Sequence, residues 1–214
     1  MELEKFIDQT LLKNTVSAKE IEQFCLDNNK QGFASLCLPP FFVKKAADIL
    51  NRSETKVCTV IGFPLGYNTT ESKVFETQNA LDNGADEIDM VININELKNK
   101  NFNFIEKEIQ QLAKLCKKQD TILKVIIESC LLEKSEIIEL CHIVYNCGAD
   151  YIKTSTGFST HGATIDTIQL MKKHAHPNLK IKASGGIKNK ETAIQMIEAG
   201  ADRLGTSSGQ IIIQ

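Results

Sequence analysis

The chain has 214 residues, 24% of them charged, and its 25 Lys and Arg against 27 Asp and Glu leave a formal net charge of −2. That balance gives no electrostatic reason to bind nucleic acid, and no block of like charge forms a basic or acidic arm. The apolar runs are too short to span a bilayer, and the charged start Met1-Glu2-Leu3-Glu4-Lys5 lacks the apolar stretch of a secretory leader, which points to a soluble, cytoplasmic protein.

Strand-like runs rich in β-branched residues fall at 6–12, 33–38, 56–63, 86–92, 121–128, 150–154, 179–183 and 202–206. Amphipathic segments lie between them. Ser17, with Glu20 three residues on, has capping-box spacing, and Pro39-Pro40 sets a helix start at Phe41. Ile105, Ile109, Leu112 and Cys116 recur at helical steps, as do Ile137, Leu140, Cys141 and Val144. Gly-Ala-Asp occurs three times, at residues 84–86, 148–150 and 200–202, each time between a helical pattern and a strand. The glycine there suits a left-handed helix cap. A doubly wound sheet fits such alternation, but eight successive strand–helix units without a linker favour a closed (β/α)8 barrel. The expectation is one domain over residues 1–214, with function at the C-terminal strand ends.

Alternation within strands sorts their faces. Glu87, Asp89 and Val91 share one face; Ile88, Met90 and Ile92 share the other and suit packing against helices. Asp89 then points into the barrel, as do Lys124 and Glu128, with Lys153 and Lys182 assigned inward by their apolar neighbours. A buried carboxylate or ammonium is costly unless paired, so one reading is a structural ion network. The other is amine chemistry on a carbonyl, because charged groups gather where reactions are catalysed. A free lysine is neutral only about one part in a thousand near neutral pH; a second ammonium and partial desolvation disfavour the charged form. Lys182 beside Lys153 supplies that pressure, and Asp89 is placed to move protons.

Gly185 and Gly186 follow the seventh run and residues 205–209 the eighth, where barrels bind phosphate on backbone N–H groups. The seven cysteines show no paired spacing, which suits small buried side chains in a reducing compartment rather than a metal site. His161, His174 and His176 have no partner set for a metal, and His174 and His176 read as a solvated loop.

Several segments together resemble the deoxyribose-phosphate aldolase family of Schiff-base aldolases: Asp8-Gln9-Thr10-Leu11-Leu12-Lys13, Val60-Ile61-Gly62-Phe63-Pro64-Leu65-Gly66, the run 84–93, Lys124-Val125-Ile126-Ile127-Glu128, Lys153-Thr154-Ser155-Thr156-Gly157-Phe158, Lys182-Ala183-Ser184-Gly185-Gly186 and Gly205-Thr206-Ser207-Ser208. The resemblance implies a Schiff base on Lys153, with Lys182 and Asp89 transferring protons. It also implies that Asp8, Thr10, Cys37 and Thr156 bind the substrate, and that Gly157, Gly185, Gly186, Ser207 and Ser208 face its phosphate. The family reaction is reversible cleavage of 2-deoxyribose 5-phosphate to acetaldehyde and glyceraldehyde 3-phosphate, without metal or organic cofactor. The resemblance also implies a homo-oligomer, which no local pattern in the sequence marks. Gln9 and Pro39 depart from the histidine and asparagine common in the family. Many members also continue through a full last helix to a terminal tyrosine, whereas this chain stops at Ile211-Ile212-Ile213-Gln214, so the last helix is expected to be truncated. Another Schiff-base aldolase, or a sugar-phosphate barrel without catalysis, are the competing readings.

Overall fold

A computed structural model describes residues 1–214. Its eight parallel strands are β1 (Ile7–Thr10), β2 (Ser35–Leu38), β3 (Lys56–Ile61), β4 (Glu87–Val91), β5 (Ile122–Ile126), β6 (Tyr151–Lys153), β7 (Lys180–Ser184) and β8 (Arg203–Thr206). They pair in chain order, and β8 returns to β1 to close the barrel. The helices are α1 (Ala18–Asn28), α2 (Val43–Leu50), α3 (Thr70–Asp82), α4 (Ile94–Lys98), α5 (Phe102–Lys118), α6 (Lys134–Asn146), α7 (Ile165–His174), α8 (Lys190–Glu198) and α9 (Gly209–Ile212). None is long and apolar enough to cross a membrane.

The expected capping box opens α1: Ser17 N donates to Glu20 Oε2 at 2.8 Å and Glu20 N to Ser17 Oγ at 3.3 Å. After Pro39 a 3-10 turn (Pro40–Phe42) precedes α2, so the helix proper starts two residues beyond Phe41. Strands are shorter than the apolar runs that announced them. The run 121–128 stays in the ladder only over Ile122–Ile126, and at Glu128 the backbone turns left-handed with φ 49°. Helix α4 was not read from the sequence at all. Its cap, Asn93, accepts from Glu96 N at 3.3 Å, an Asn-x-x-Glu start hidden beside a longer helix.

Each Gly-Ala-Asp repeat does more than stop a helix. Gly84, Gly148 and Gly200 all have positive φ, as expected for the cap. The aspartates then reach across to the preceding strand: Asp86, Asp150 and Asp202 each accept at 2.8 Å from the backbone N–H of Val57, Leu123 and Ile181. The same aspartates donate their own N–H to the carbonyls of those residues. These clamps fasten β4, β6 and β8 to β3, β5 and β7 at the N-terminal rim, opposite the site.

The apolar core lies outside the barrel, as a layer of 46 buried residues between strands and helices that includes Ile88, Met90, Ile152 and Ile181. The barrel interior is mostly polar, with Asp8, Glu87, Asp89, Lys124, Lys153, Lys182 and Arg203 all buried. Only Cys37, Cys58 and Val60 form an apolar cluster of their own there. The last helix, α9, is a single turn. Its Ile212 is buried and Ile213 packs against the core, while Gln9 Oε1 accepts from Gly209 N at 2.9 Å and ties the turn to β1.

Candidate active site

Strand register aligns the charges in two pairs. Asp89 on β4 is level with Lys124 on β5, and Lys153 on β6 with Lys182 on β7. With side chains alternating, all four point inward and meet at Asp89. Its Oδ2 accepts from Lys153 Nζ at 2.7 Å and Lys182 Nζ at 2.6 Å. Its Oδ1 accepts from Lys124 Nζ at 2.9 Å and from the Cys58 thiol at 3.3 Å. Lys182 also meets Asp8 Oδ2 at 2.5 Å, Lys124 meets Glu87 Oε2 at 2.5 Å, and Arg203 bridges Asp8 at 2.6 Å and Glu87 at 3.3 Å. Among buried side-chain oxygens, that leaves Ser35 Oγ without a partner, since Asp8 Oδ2 and Glu87 Oε2 are held by these ion pairs even where hydrogen-bond angles are poor.

Burial alone would raise the pKa of Asp89, but the Lys124, Lys153 and Lys182 charges outweigh it and hold the carboxyl well below the usual range. Asp8 behaves likewise, with burial overcome by Lys182, Arg203 and Lys124. Burial disfavours the charged Lys182, yet Asp8 and Asp89 raise its pKa, and the same contest raises that of Lys124. Four cations face three carboxylates in this network, so the network carries one positive charge over.

Of those four cations only Lys153 lines the cavity above, a space of ≈ 320 Å³. That is near the lower end of the roughly 300–1,000 Å³ typical of small-molecule sites. Thr10, Thr156, Gly157, Gly185, Gly186 and Ser207 share its wall. Gly185 and Gly186 both have φ +82°, and a side chain at Gly185 would strike the Gly162 backbone at 2.8 Å, so two loops approach closely here. Gly186 faces open space. Phe158 forms an apolar side of the cavity, its ring edge-on to Phe63 at 5.3 Å.

Asp8, Cys37, Asp89 and Lys182 do not line that wall; they form the layer beneath it, buried in contact with one another. Ser208, expected to face the phosphate, does not share the cavity wall with Ser207. It lies outside the cavity lining, at the start of α9, and its backbone N–H donates to Thr206 Oγ1 at 2.9 Å. Cys37 sits beside Cys58, whose thiol lowers its pKa against the effect of burial; Cys58 itself is raised by burial. Cys37, Cys58 and Asp89 have ligand atoms within 4.8 Å of one another. A metal cation there would compete with three ammonium groups for Asp89, so the donor set does not suit one. His176 stacks on Tyr145 at 3.7 Å, away from the site, and His174 ends α7.

Sequence reasoning missed Arg203 and Glu87 as members of the network, and Lys13, Ser184, Ile187 and Lys188 as cavity lining. Glu87 was legible from its shared face with Asp89. Arg203 was legible only once the inward phase of β8 was known, because its neighbour Gly205 carries no side chain to mark it.

Comparison with known proteins agrees with this geometry. Residues 3–214 match the family model described as DeoC/LacD family aldolase. The chain is 51% identical to a deoxyribose-phosphate aldolase of Clostridioides difficile (strain 630), over 95% of this chain and 92% of that one. Among solved structures, the aldolase QR15 superposes with a TM-score of 0.94 at 44% identity, covering 99% of this chain and 94% of QR15. The tetrameric deoxyribose phosphate aldolase of Aeropyrum pernix superposes with a TM-score of 0.92 at 32% identity, covering 99% of this chain and 89% of that one. A matched family over nearly every residue, on a closed barrel with its amines gathered at one rim, means that the chain belongs to the DeoC/LacD family of aldolases.

Proposed function

We propose that the protein, acting as one barrel domain, reversibly cleaves 2-deoxyribose 5-phosphate to acetaldehyde and glyceraldehyde 3-phosphate through a Schiff base on Lys153. The observation that carries this reading is that Lys153 alone among the network's cations lines the cavity while sharing one oxygen of Asp89 with Lys182. Lys153 passes one proton to the Asp89–Lys182 pair and, as the neutral amine, adds to the aldehyde carbon of the open-chain sugar; return of that proton and loss of water leave an iminium. An ammonium has three N–H bonds and this iminium one, so its hold on Asp89 weakens and frees a carboxylate oxygen. That oxygen, with Lys182 kept protonated beside it, takes the C3 hydroxyl proton through water. The C2–C3 electron pair then flows into the iminium, glyceraldehyde 3-phosphate leaves, and an enamine remains. Protonation at carbon and hydrolysis release acetaldehyde and restore the amine.

The phosphate is received by backbone N–H groups around Gly157, Gly185, Gly186 and Ser207, with Lys13 and Lys188 at the same wall supplying positive charge. Thr10 and Thr156 meet the sugar hydroxyls. No metal or organic cofactor takes part in these steps. Seven free cysteines, six of them buried, suit a reducing compartment and so the cytoplasm. The tetrameric relative supports a homo-oligomer.

Borohydride reduction in the presence of acetaldehyde tests the mechanism directly. A reduced two-carbon adduct should form on the peptide carrying Lys153 and vanish in Lys153→Arg. No adduct, or one undiminished in that variant, would sink the Schiff-base assignment. Cleavage assayed across other phosphorylated sugars and keto acids separates this substrate from those of related aldolases.

A further inference from the structure

Glu128 is a buried carboxylate, 3% exposed, with no lysine, arginine or histidine nitrogen within 4.0 Å. Its bonds go almost entirely to one residue. Thr156 N donates to Oε1 at 3.2 Å and to Oε2 at 3.4 Å, and the Thr156 hydroxyl makes a short bond to Oε2. A thiol contact from Cys130 at 3.9 Å is the remaining one. To reach this position the chain adopts φ 49° at Glu128, an uncommon left-handed conformation for a residue with a side chain. Backbone bonds from Ile127 N to Lys153 O and Ser129 N to Thr154 O hold the two segments together on either side. Strain at a residue that is buried, unpaired in charge and devoted to the cavity wall calls for a role.

In its bond to Glu128 Oε2 the Thr156 hydroxyl is the donor. The hydroxyl oxygen accepts from Phe158 N at 3.1 Å. A hydroxyl has one proton and two lone pairs, which leaves Thr156 a single lone pair and no O–H to offer. Thr156 lines the cavity with Lys153. We propose that Glu128 is a positioning residue that fixes the polarity of the Thr156 hydroxyl, so that the wall accepts a hydrogen bond from a hydroxyl of the aldol substrate. The inference rests on the Schiff-base reading above and adds to it the device that distinguishes a hydroxylated substrate from a bare aldehyde. In the Glu128→Gln variant the side chain keeps its size but presents an N–H₂ as well as an oxygen, and the Thr156 hydroxyl is free to turn.

The experiment compares two substrates on the same variants. Acetaldehyde has no hydroxyl, so borohydride trapping on Lys153 should stay within about twofold of the unsubstituted protein in Glu128→Gln. Cleavage of 2-deoxyribose 5-phosphate should lose at least about tenfold in kcat/KM, the scale of one hydrogen bond. Adding Thr156→Val to Glu128→Gln should cost cleavage little more, because both changes remove the same hydrogen bond. Equal losses of trapping and cleavage, unchanged cleavage in Glu128→Gln, or losses that multiply in the double variant would each overturn the proposal. Where Glu128→Gln does not fold, Glu128→Asp, whose carboxylate falls one methylene short of Thr156, decides by whether trapping survives while cleavage falls. Absence of any adduct in the unsubstituted protein is a distinct result, which overturns the Schiff-base reading itself.

Discussion

Asp89 accepts four donors, two on each oxygen, and a carboxylate has about four lone-pair sites to give. It is therefore both the anchor of the Lys153 amine and the counter-charge that makes burying Lys124 and Lys182 tolerable. Replacing it by the isosteric amide removes the charge and aims an N–H₂ at ammonium groups. Asp89→Asn should lower the unfolding free energy by about 3–5 kcal/mol, the usual cost of breaking a buried ion pair from one side. Borohydride trapping on Lys153 should fall with it, measured at a temperature where the variant remains folded. Urea denaturation within about 1 kcal/mol of the unsubstituted protein would show that the network does not depend on Asp89. Lys153, Lys182 and Asp89 were legible in the sequence because each interrupts an apolar strand at an inward position. Glu128 was legible as an inward carboxylate too, but its partner was not, since nothing in a run of residues tells that Thr156 will fold back onto it.

The strand that carries Asp89 is held at its C-terminal end by a second buried pair, from helices rather than strands. Lys73 on α3 and Glu108 on α5 meet at 2.7 Å with neither side chain exposed. Lys73 also donates to Val91 O at 2.8 Å, and Glu108 accepts from Asn93 N at 3.1 Å, so the pair satisfies backbone groups just where β4 leaves the ladder. This clamp was invisible at the level of sequence: Lys73 and Glu108 sit in helices where charged residues usually face solvent, and only the packing of α3 on α5 turns them inward. The alternation of strands and helices, by contrast, could be read almost end to end because closure of the barrel demands the same apolar spacing eight times. Element ends were harder, as α4 and the turn at Glu128 depend on single caps and contacts. Lys73→Met leaves Glu108 buried without a cation and should cost about 3–5 kcal/mol. Adding Glu108→Leu should cost less than the two single losses together, because it removes the stranded charge. A denaturation cycle with strictly additive losses would count against a coupled pair.

At the scale of the whole molecule, charge is inside the barrel and apolar packing outside it. A barrel usually fills its interior with branched apolar side chains. Here the 46-residue core between strands and helices holds the fold together, and the interior is given over to the ion network. The pH dependence of stability follows from the sign of each shift. Asp8 and Asp89 have pKa values depressed in the folded state, so their contribution is fully present above the unfolded value of ~3.9 and is lost as pH falls through the folded values. Lys124 and Lys182 have raised values, so their contribution is fully present below ~10.4 and is lost as pH rises through the folded values. Glu108, raised by burial despite Lys73, works the other way on acidification and softens the acid limb. The network therefore predicts an unfolding free energy that is nearly level from about pH 5 to about pH 9, with losses on both sides. Urea titrations across that range check it, and Asp8→Asn should flatten the acid limb by removing one of the two depressed carboxyls. A steady decline already between pH 7 and pH 5 would mean that groups outside this network govern the stability of the barrel.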